Sequence, residues 1–494
     1  MYLSKSQFTK GLQCVKALWL KKYKKEVLTP PDASQQAIFD TGNRVGDLAC
    51  QLFPGGKEIP FDRENMSSMA PLTQKYLDEG VKDIYEATFE YDGIFVMVDI
   101  LHKGKNGWEV YEVKSSTEVK PIYIQDASIQ YYALKGCGLD ISKVSVVHIN
   151  NKYIRGNELE VDKLFTIADV TAQAIEYQEE IPGILEHFEH ILKDRNKEPD
   201  IDIGPHCSNP YPCDCQNYCW KQQKNIPDYS IFNISRLSLT KKFDLYHKGI
   251  VKFEDIVNVS GFNASQKVQI ECELDNNTII NKGEIKNFVR NLKYPLYHLD
   301  FETFQQAIPE YEGLKPYQQI PSQYSIHIED GNGKLDHIEF LAPEGSDPRR
   351  ELAESLVKHI PKDVMLLAYN RSFERGVIKS LAELYPDLSV HLTAIQKNIK
   401  DLMTPFQKKH YYSPSMKGSY SIKCVMPALV PEMENAYNEL EVVHNGGEAM
   451  SVYSTLHLVK DKAEVERLRK GLLEYCKLDT LAMVKILEKL REIV

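Results

Sequence analysis

The stretch His298-Leu299-Asp300-Phe301-Glu302-Thr303-Phe304 follows an apolar lead-in, Tyr294-Pro295-Leu296-Tyr297, and places two acids two residues apart. On a β-strand, residues i and i+2 project to the same face, so Asp300 and Glu302 stand side by side. Paired carboxylates at a strand end repel each other unless a cation sits between them, and an oxygen-rich site of that kind suits Mg²⁺ or Mn²⁺. The plain alternative is an exposed strand carrying two acids on its solvent face, and the rest of the chain decides between the two.

Downstream, alternating segments at 322–329 and 335–340 predict antiparallel strands joined at Asp330-Gly331-Asn332-Gly333. Residues 350–359 read as a helix, and 364–368 as a buried strand that runs through Asn370 into a further helix. Residues 468–490 form a long amphipathic pattern on which Tyr475 and Asp479, four apart, share a face. Antiparallel strands followed by a strand and helices fit a ribonuclease H-like α/β fold. The order resembles the DnaQ-like 3′–5′ exonucleases of the DEDD group. Their Asp-x-Glu matches Asp300 and Glu302, their Asn-x3-Asp reads Asn370-Arg371-Ser372-Phe373-Glu374, and the DEDDy motif Tyr-x3-Asp reads Tyr475-Cys476-Lys477-Leu478-Asp479. The resemblance implies that Asp300, Glu302 and Asp479 hold two metal ions, with Glu374 completing the shell and Tyr475 positioning or helping to deprotonate the attacking water. Glu374 departs from the usual aspartate, and Asp401 is a nearby substitute or helper. Lys417, Tyr420 and Lys423 line the nucleic-acid path or belong to a surface loop and short helix.

In the first half, 1–26 suggests a helix starting at Ser4 or Ser6, with Phe8, Leu12, Val15 and Leu18 on its apolar positions. A second helix is expected over 35–53. Strands are expected over 86–95 and 96–101, with a turn at Asp92-Gly93, and then over 108–113. Asp99 lies in an otherwise apolar strand, where an unpaired acid is costly. Glu112 and Lys114 lie on one face of the next strand. An acid on one strand with Glu-x-Lys on its neighbour is what a PD-(D/E)xK nuclease needs, with Asp99 and Glu112 for Mg²⁺ and Lys114 for the attacking water or the phosphorane charge. A hairpin with a surface salt bridge is the alternative. SKSQFTKGLQCVKALWL, VDIL, YEVKSS and DASIQYYAL together resemble the RecB-type nucleases, in the branch of the CRISPR-associated RecB-like exonucleases. That resemblance adds Gln130 and Tyr132 to the site, with Tyr131 as the substitute. Many relatives carry a metal-binding His early in the chain; TGNRVGDLA has none, and Asp47 lies close to that position.

The chain has 494 residues, 43% apolar and 26% charged, which is the balance of a globular protein of two or three domains. Net charge −10 argues against a generic DNA-coating protein but not against an enzyme with a local basic groove. Lys16, Lys21, Lys22, Lys24 and Lys25 form a solvated helix face or touch phosphates. No run of 18 apolar residues and no signal-peptide pattern appear, so the expectation is a cytoplasmic protein without a membrane span. Cys207, Cys213, Cys215 and Cys219 crowd into HCSNPYPCDCQNYCW, and in a cytosolic protein such a group argues for a metal over disulfides. The RecB-type resemblance implies a [4Fe–4S] cluster on Cys14, Cys207, Cys213 and Cys219, leaving Cys215 spare, with Zn²⁺ as the alternative.

The fold class expected is therefore α/β throughout. A PD-(D/E)xK restriction-endonuclease-like domain spans 1–222, a helical connector 223–290, and a ribonuclease H-like exonuclease domain 291–494. The combination is similar to a family of prokaryotic proteins that fuse these two domains. It implies a two-site, Mg²⁺- or Mn²⁺-dependent nuclease acting on DNA or RNA; the alternative is a nucleic-acid-binding protein in which one or both sites are inactive.

Overall fold

The computed structural model describes residues 3–494. The chain is mixed α/β and divides into two compact units: 1–225 with 306–318, and 226–305 with 319–494. The segment expected as a separate connector is grouped with the second unit, while the link between two strands of the second unit is grouped with the first. No helix among the described residues is long and apolar enough to cross a membrane.

The first unit is built on a seven-stranded sheet: β1 (Leu3–Ser4), β2 (Lys57–Glu58), β3 (Asp83–Tyr91), β4 (Ile94–Lys103), β5 (Trp108–Lys114), β6 (Ile141–Ile149) and β7 (Phe165–Asp169). The spatial order is β2-β3-β4-β5-β6-β7, with β1 alongside β4. β3, β4 and β5 run as an antiparallel meander, and helix α5 (Pro121–Gly136) then carries the chain across to β6, parallel to β5. The β3–β4 turn sits at Asp92-Gly93, both at positive φ, so β4 begins at Ile94 and not at 96 as the alternation suggested.

The first helix expected over 1–26 is two helices, α1 (Lys5–Gln13) and α2 (Val15–Tyr23), divided at Cys14. Cys14 has φ −164°, an extended residue between two helical ones, so the break turns its thiol out of the helical register. Ser4 and Gln7 form a reciprocal capping box at the start of α1. The two-residue pairing of β1 with Ile94 and Phe95 holds that start against β4. Helix α3 (Ala33–Ala49) follows, with Val45 and Ala49 as its buried contacts, and then α4 (Met69–Asp78), which precedes β3.

Segment 306–318 packs into this unit. Ala307 joins a cluster with Val45, Ala49, Ile100 and Tyr111. Arg155 donates its backbone N–H to Leu314 O at 3.0 Å and its guanidinium to Pro309 O at 2.7 Å. The Tyr317 hydroxyl donates to Ser115 O, next to Lys114.

The second unit has a two-stranded ribbon, β8 (Ile279–Ile280) with β14 (Tyr411–Tyr412), and a five-stranded sheet. The sheet comprises β9 (Leu296–Phe304), β10 (Ile320–Glu329), β11 (Leu335–Leu341), β12 (Met365–Ala368) and β13 (Ile399–Asp401), in the order β11-β10-β9-β12-β13. The first three strands are antiparallel; β12 and β13 run parallel to β9. Alternation along β9 sorts its faces. Tyr297, Leu299 and Phe301 enter a core with the helices Arg349–His359, Arg371–Leu384 and Ser389–Lys397. Asp300 lies on the other face, where the C-terminal helix Lys462–Ile493 brings Cys476 Sγ to 3.7 Å from Asp300 Oδ2.

Asn370 joins β12 to the helix Arg371–Leu384 in the left-handed conformation, φ 76° and ψ 57°. Asn tolerates that region, while a β-branched residue there is strained by about 1–2 kcal/mol. Asn370→Gly is expected to leave the urea midpoint of the second unit nearly unchanged and Asn370→Val to lower it. Equal midpoints would show that the turn does not need its positive φ.

Candidate active sites and a cysteine-lined cavity

In the first unit, strand register assembles the acids. Tyr85 pairs with Ile100 and Ala87 with Val98, which sets Glu86 opposite Asp99. Ile100 pairs with Tyr111, which sets Asp99 opposite Glu112. Glu86, Asp99 and Glu112 thus form one row across three strands, and Glu86 takes φ +54° there. A non-glycine residue held in the left-handed region carries local backbone strain, on the order of 1–3 kcal/mol.

Helix α5 adds Gln130, whose Nε2 donates to Glu112 Oε2 at 2.7 Å, and Asp126, which accepts from Lys114 Nζ at 2.6 Å. Asp126 and Gln130 are four apart and share a helix face. Tyr132, two residues beyond Gln130, is turned about 200° round the helix. Its hydroxyl donates to Asp92 Oδ2 at 2.7 Å in the β3–β4 turn, so it is not among the groups gathered at Glu112. Lys114, on the same face of β5, bonds Glu112, and a second ammonium, Lys5 of α1, donates to both Glu112 oxygens at 2.8 and 2.9 Å. Asp99 accepts from Val113 N at 2.6 Å.

Burial pushes Glu112 up, but Lys114 and Lys5 outweigh it and hold the carboxyl far below the usual range. Asp99 is pushed up to about 8 by burial and by Glu112. Glu86 is pushed up to about 7 by burial, with Glu112, Glu58 and Asp47 adding to the rise and Lys5 opposing it. Sequence reasoning missed Lys5, Glu86 and Asp126. The Asp126–Gln130 spacing was a usable signal for one of them; for Lys5 and Glu86 the signal lies in pairing between distant segments.

In the second unit, Asp300 and Glu302 share a face of β9, and their carboxylates lie with the Cys476 thiol in a group whose ligand atoms are all within 4.8 Å of one another. Asp479 and Tyr475 arrive on the C-terminal helix, and Glu374 on the helix that follows Asn370. Burial, then Asp479, Glu302 and Glu374, push Asp300 well above its usual range. Glu302 is raised by burial and Asp479, with Lys423 opposing. Glu374 is 2% exposed, is pushed up to about 8 by burial, and its Oε2 has no hydrogen-bond partner. Asp479 is pushed up to about 6 by burial, with Tyr437, Lys423 and Tyr475 pulling it back.

Tyr437 was not anticipated; its hydroxyl donates to Asp479 Oδ1 at 2.6 Å. Lys423 lies 4.9 Å from the Tyr437 ring centre and 5.0 Å from that of Tyr475, and donates to His444 O at 2.7 Å. Asp401, considered as a helper, accepts from the backbone N–H of Asn370 at 3.1 Å and Met403 at 3.0 Å, so it braces the turn that delivers Glu374.

The cysteines converge as well. Cys14, Cys207, Cys213, Cys215 and Cys219 line one cavity. Cys14 feels the charges of Cys213 and Cys207, and Cys219 those of Cys213, Cys207 and Cys14. Cys213 Sγ and Cys215 Sγ lie 3.9 and 3.5 Å from Asp214 Oδ1. Gln13 ties α1 to the cysteine loop by donating to His206 O and Tyr211 O, each at 2.8 Å, and Lys10 pairs with Asp214 at 2.5 Å. Cys219 sits in a π-helical turn, Asn217–Gln223, a geometry common at functional sites.

The raised carboxyls make stability depend on pH. In the folded protein Asp99 and Glu374 keep their protons to about 8, whereas their ordinary values are 3.8 and 4.5. The folded form therefore binds more protons between these limits, and stability falls as pH rises through that window. Without added divalent ions, the melting temperature is expected to drop from pH 5 to pH 8, less steeply in Glu374→Gln. A wild-type profile flat over that range would contradict this reading of the buried acids.

Residues 297–421, from β9 to Ser421, match a domain of unknown function, DUF2779, a span that includes Asp300, Glu302 and Glu374. Over 247 residues, 46% of the chain, the sequence is 26% identical to the uncharacterized protein UU173 of Ureaplasma parvum serovar 3. The match covers 34% of that protein, so the chain spans about a third of the relative's length. No solved structure matches.

Proposed function

We propose that the chain is a metal-dependent nuclease with two separate centres, each hydrolysing phosphodiester bonds of DNA or RNA, the second as a DEDDy-type 3′–5′ exonuclease. The observation that carries the reading is the convergence of Asp300, Glu302, Glu374 and Asp479 from three elements into one group, half-buried at Asp300 and Glu302 and buried at Glu374 and Asp479, whose carboxyls are raised and which Lys423 opposes. Like-charged acids crowded out of water are stable as anions only with cations between them. In the first unit four acids, Glu86, Asp99, Glu112 and Asp126, face two ammoniums, Lys5 and Lys114.

The donor sets are hard oxygens, as Mg²⁺ or Mn²⁺ requires. Asp300, Glu302 and Asp479, with Glu374, would hold the ions of the second centre, and Asp99 and Glu112 that of the first. Bound there, such ions supply charge for the phosphoryl oxygens and lower the pKa of water. The protein's own groups do the rest. Tyr437 fixes one oxygen of Asp479, leaving the other for ligation. Burial beside Asp479 and Glu302 pushes the Tyr475 phenol up, and its hydroxyl would position the attacking water or help to deprotonate it. Lys114, bonded to Glu112 and Asp126, keeps its proton and presents a positive charge to the phosphate. Glu374 replaces the usual aspartate, yet its buried, unpartnered Oε2 suits ligation.

Five thiols line the cavity, and four of them, Cys14, Cys207, Cys213 and Cys219, would hold a four-thiolate group, a [4Fe–4S] cluster or Zn²⁺, that staples α1–α2 to the end of the first unit, with Cys215 beside it.

End-labelled single- and double-stranded DNA and RNA with Mg²⁺ or Mn²⁺ test the activity. Asp300→Ala is expected to abolish 3′–5′ trimming and Asp99→Ala the cleavage by the first centre, each by at least about 10²-fold, and the double variant should abolish both. Wild type that binds these substrates but cuts none would make the chain a binding protein.

For the cysteines, anaerobic purification with elemental analysis is expected to find iron and sulfide, lost in Cys14→Ser and kept in Cys215→Ser. Zinc in a colourless protein would replace the cluster assignment, and loss in Cys215→Ser alone would redraw the ligand set.

A further inference from the structure

The carboxylate of Glu112 is saturated. Oε1 accepts from Lys5 at 2.8 Å and from Lys114; Oε2 accepts from Lys5 at 2.9 Å and from Gln130 at 2.7 Å. A carboxylate offers about four lone-pair directions, so these donors fill them. An ion can ligate Glu112 only if a donor leaves.

The three donors differ in what else holds them. Gln130 is fully buried, and its amide also donates to Asp126 O at 3.2 Å within its own helix. Lys114 is anchored a second time, at 2.6 Å from Asp126 Oδ2. Lys5 has no comparable second anchor: its other carboxylate, Asp126 Oδ1, is 3.7 Å away. Lys5 also bonds both oxygens, so its departure alone would free one lone pair on each.

Its place in the chain suits an exchange. Lys5 is the first residue of α1, whose start is fixed by the Ser4–Gln7 capping box and by Leu3 N donating to Gly93 O at 2.8 Å. The backbone is held while the four-carbon stem can swing. The ammonium stands at the positive end of α1, beside Lys114, where a phosphodiester oxygen would meet two cations and a helix N-terminus.

We propose that Lys5 is a built-in competitor for Glu112, drawn off by the phosphate backbone of a nucleic-acid substrate, so that substrate and divalent ion load the first centre together. The proposal rests on the first centre being a metal-dependent nuclease site and adds how its loading is regulated. The enzyme without substrate would hold its metal weakly, and nucleic acid would tighten it.

The test is Mn²⁺ binding, by calorimetry and by the paramagnetic signal of free Mn²⁺, to the full chain carrying Asp300→Asn and Glu302→Gln to silence the second centre. It is run with and without a cleavage-resistant phosphorothioate oligonucleotide, and binding lost in Asp99→Asn is counted as the first centre's. The oligonucleotide is expected to tighten binding about tenfold or more in the parent. Lys5→Met is expected to bind Mn²⁺ about tenfold more tightly without nucleic acid, and to lose most of the oligonucleotide effect. Lys5→Arg, which keeps the charge, should behave like the parent, and melting curves of all variants check that α1 remains docked. Equal or weaker Mn²⁺ binding in a folded Lys5→Met protein would overturn the competition while leaving the metal site intact. Absence of any Asp99-dependent Mn²⁺ binding in both proteins would overturn the competition together with the nuclease reading of the first centre.

Discussion

Carboxylates drawn out of water into mutual contact are the constraint on which both units depend. Each such group is tolerated only when it is protonated, hydrogen-bonded or matched by a cation, because a lone buried charge is far more costly than the folding free energy it would need to oppose. The two units answer differently. In the first, two lysines and an amide are aimed at Glu112, and the excess negative charge falls on Asp99 and Glu86, whose carboxyls rise. In the second, aromatic hydroxyls and one half-buried lysine surround the acids, and Asp300 and Glu302 rise well above their usual range.

That difference bears on how each centre would treat an ion. The second group has a buried oxygen on Glu374 without a hydrogen-bond partner, so a ligand stands ready without exchange. The first is internally neutralised at its most buried acid, and ligation there is an exchange of partners. On the proposed reading, the second group is open to cations and the first is guarded by its own lysines.

The scaffolds that deliver these groups use ordinary local rules. β9 separates its apolar and acidic residues by alternation, a left-handed Asn370 turns the chain from β12 into the helix bearing Glu374, and i, i+4 spacing puts Tyr475 and Asp479 on one face. In the first unit the extended Cys14 between two helices, with Gln13 and Lys10 gripping the cysteine loop, is the local irregularity through which an N-terminal thiol reaches four others about two hundred residues away.

Local spacing made much of this legible. Asp300-x-Glu302, Glu112-x-Lys114, Tyr475-x3-Asp479 and the crowded cysteines could be read from the chain because their partners lie within one strand, one helix turn or one loop, where backbone periodicity alone sets direction. The strands around Asp330–Gly333 and the helix bearing Tyr475 were legible for the same reason. Lys5 on Glu112, Glu86 opposite Asp99, Tyr437 on Asp479 and the exclusion of Tyr132 were not. The first three depend on strand register, on a two-residue pairing of β1 with β4, or on a loop folding back over a helix. The fourth depends on a helix rotation set by what α5 packs against. The sequence by itself determined which carboxylates and thiols exist to be gathered and which share a face. Only the tertiary structure decided which cation each acid meets, because that pairing is settled by burial and register between segments that periodicity cannot relate.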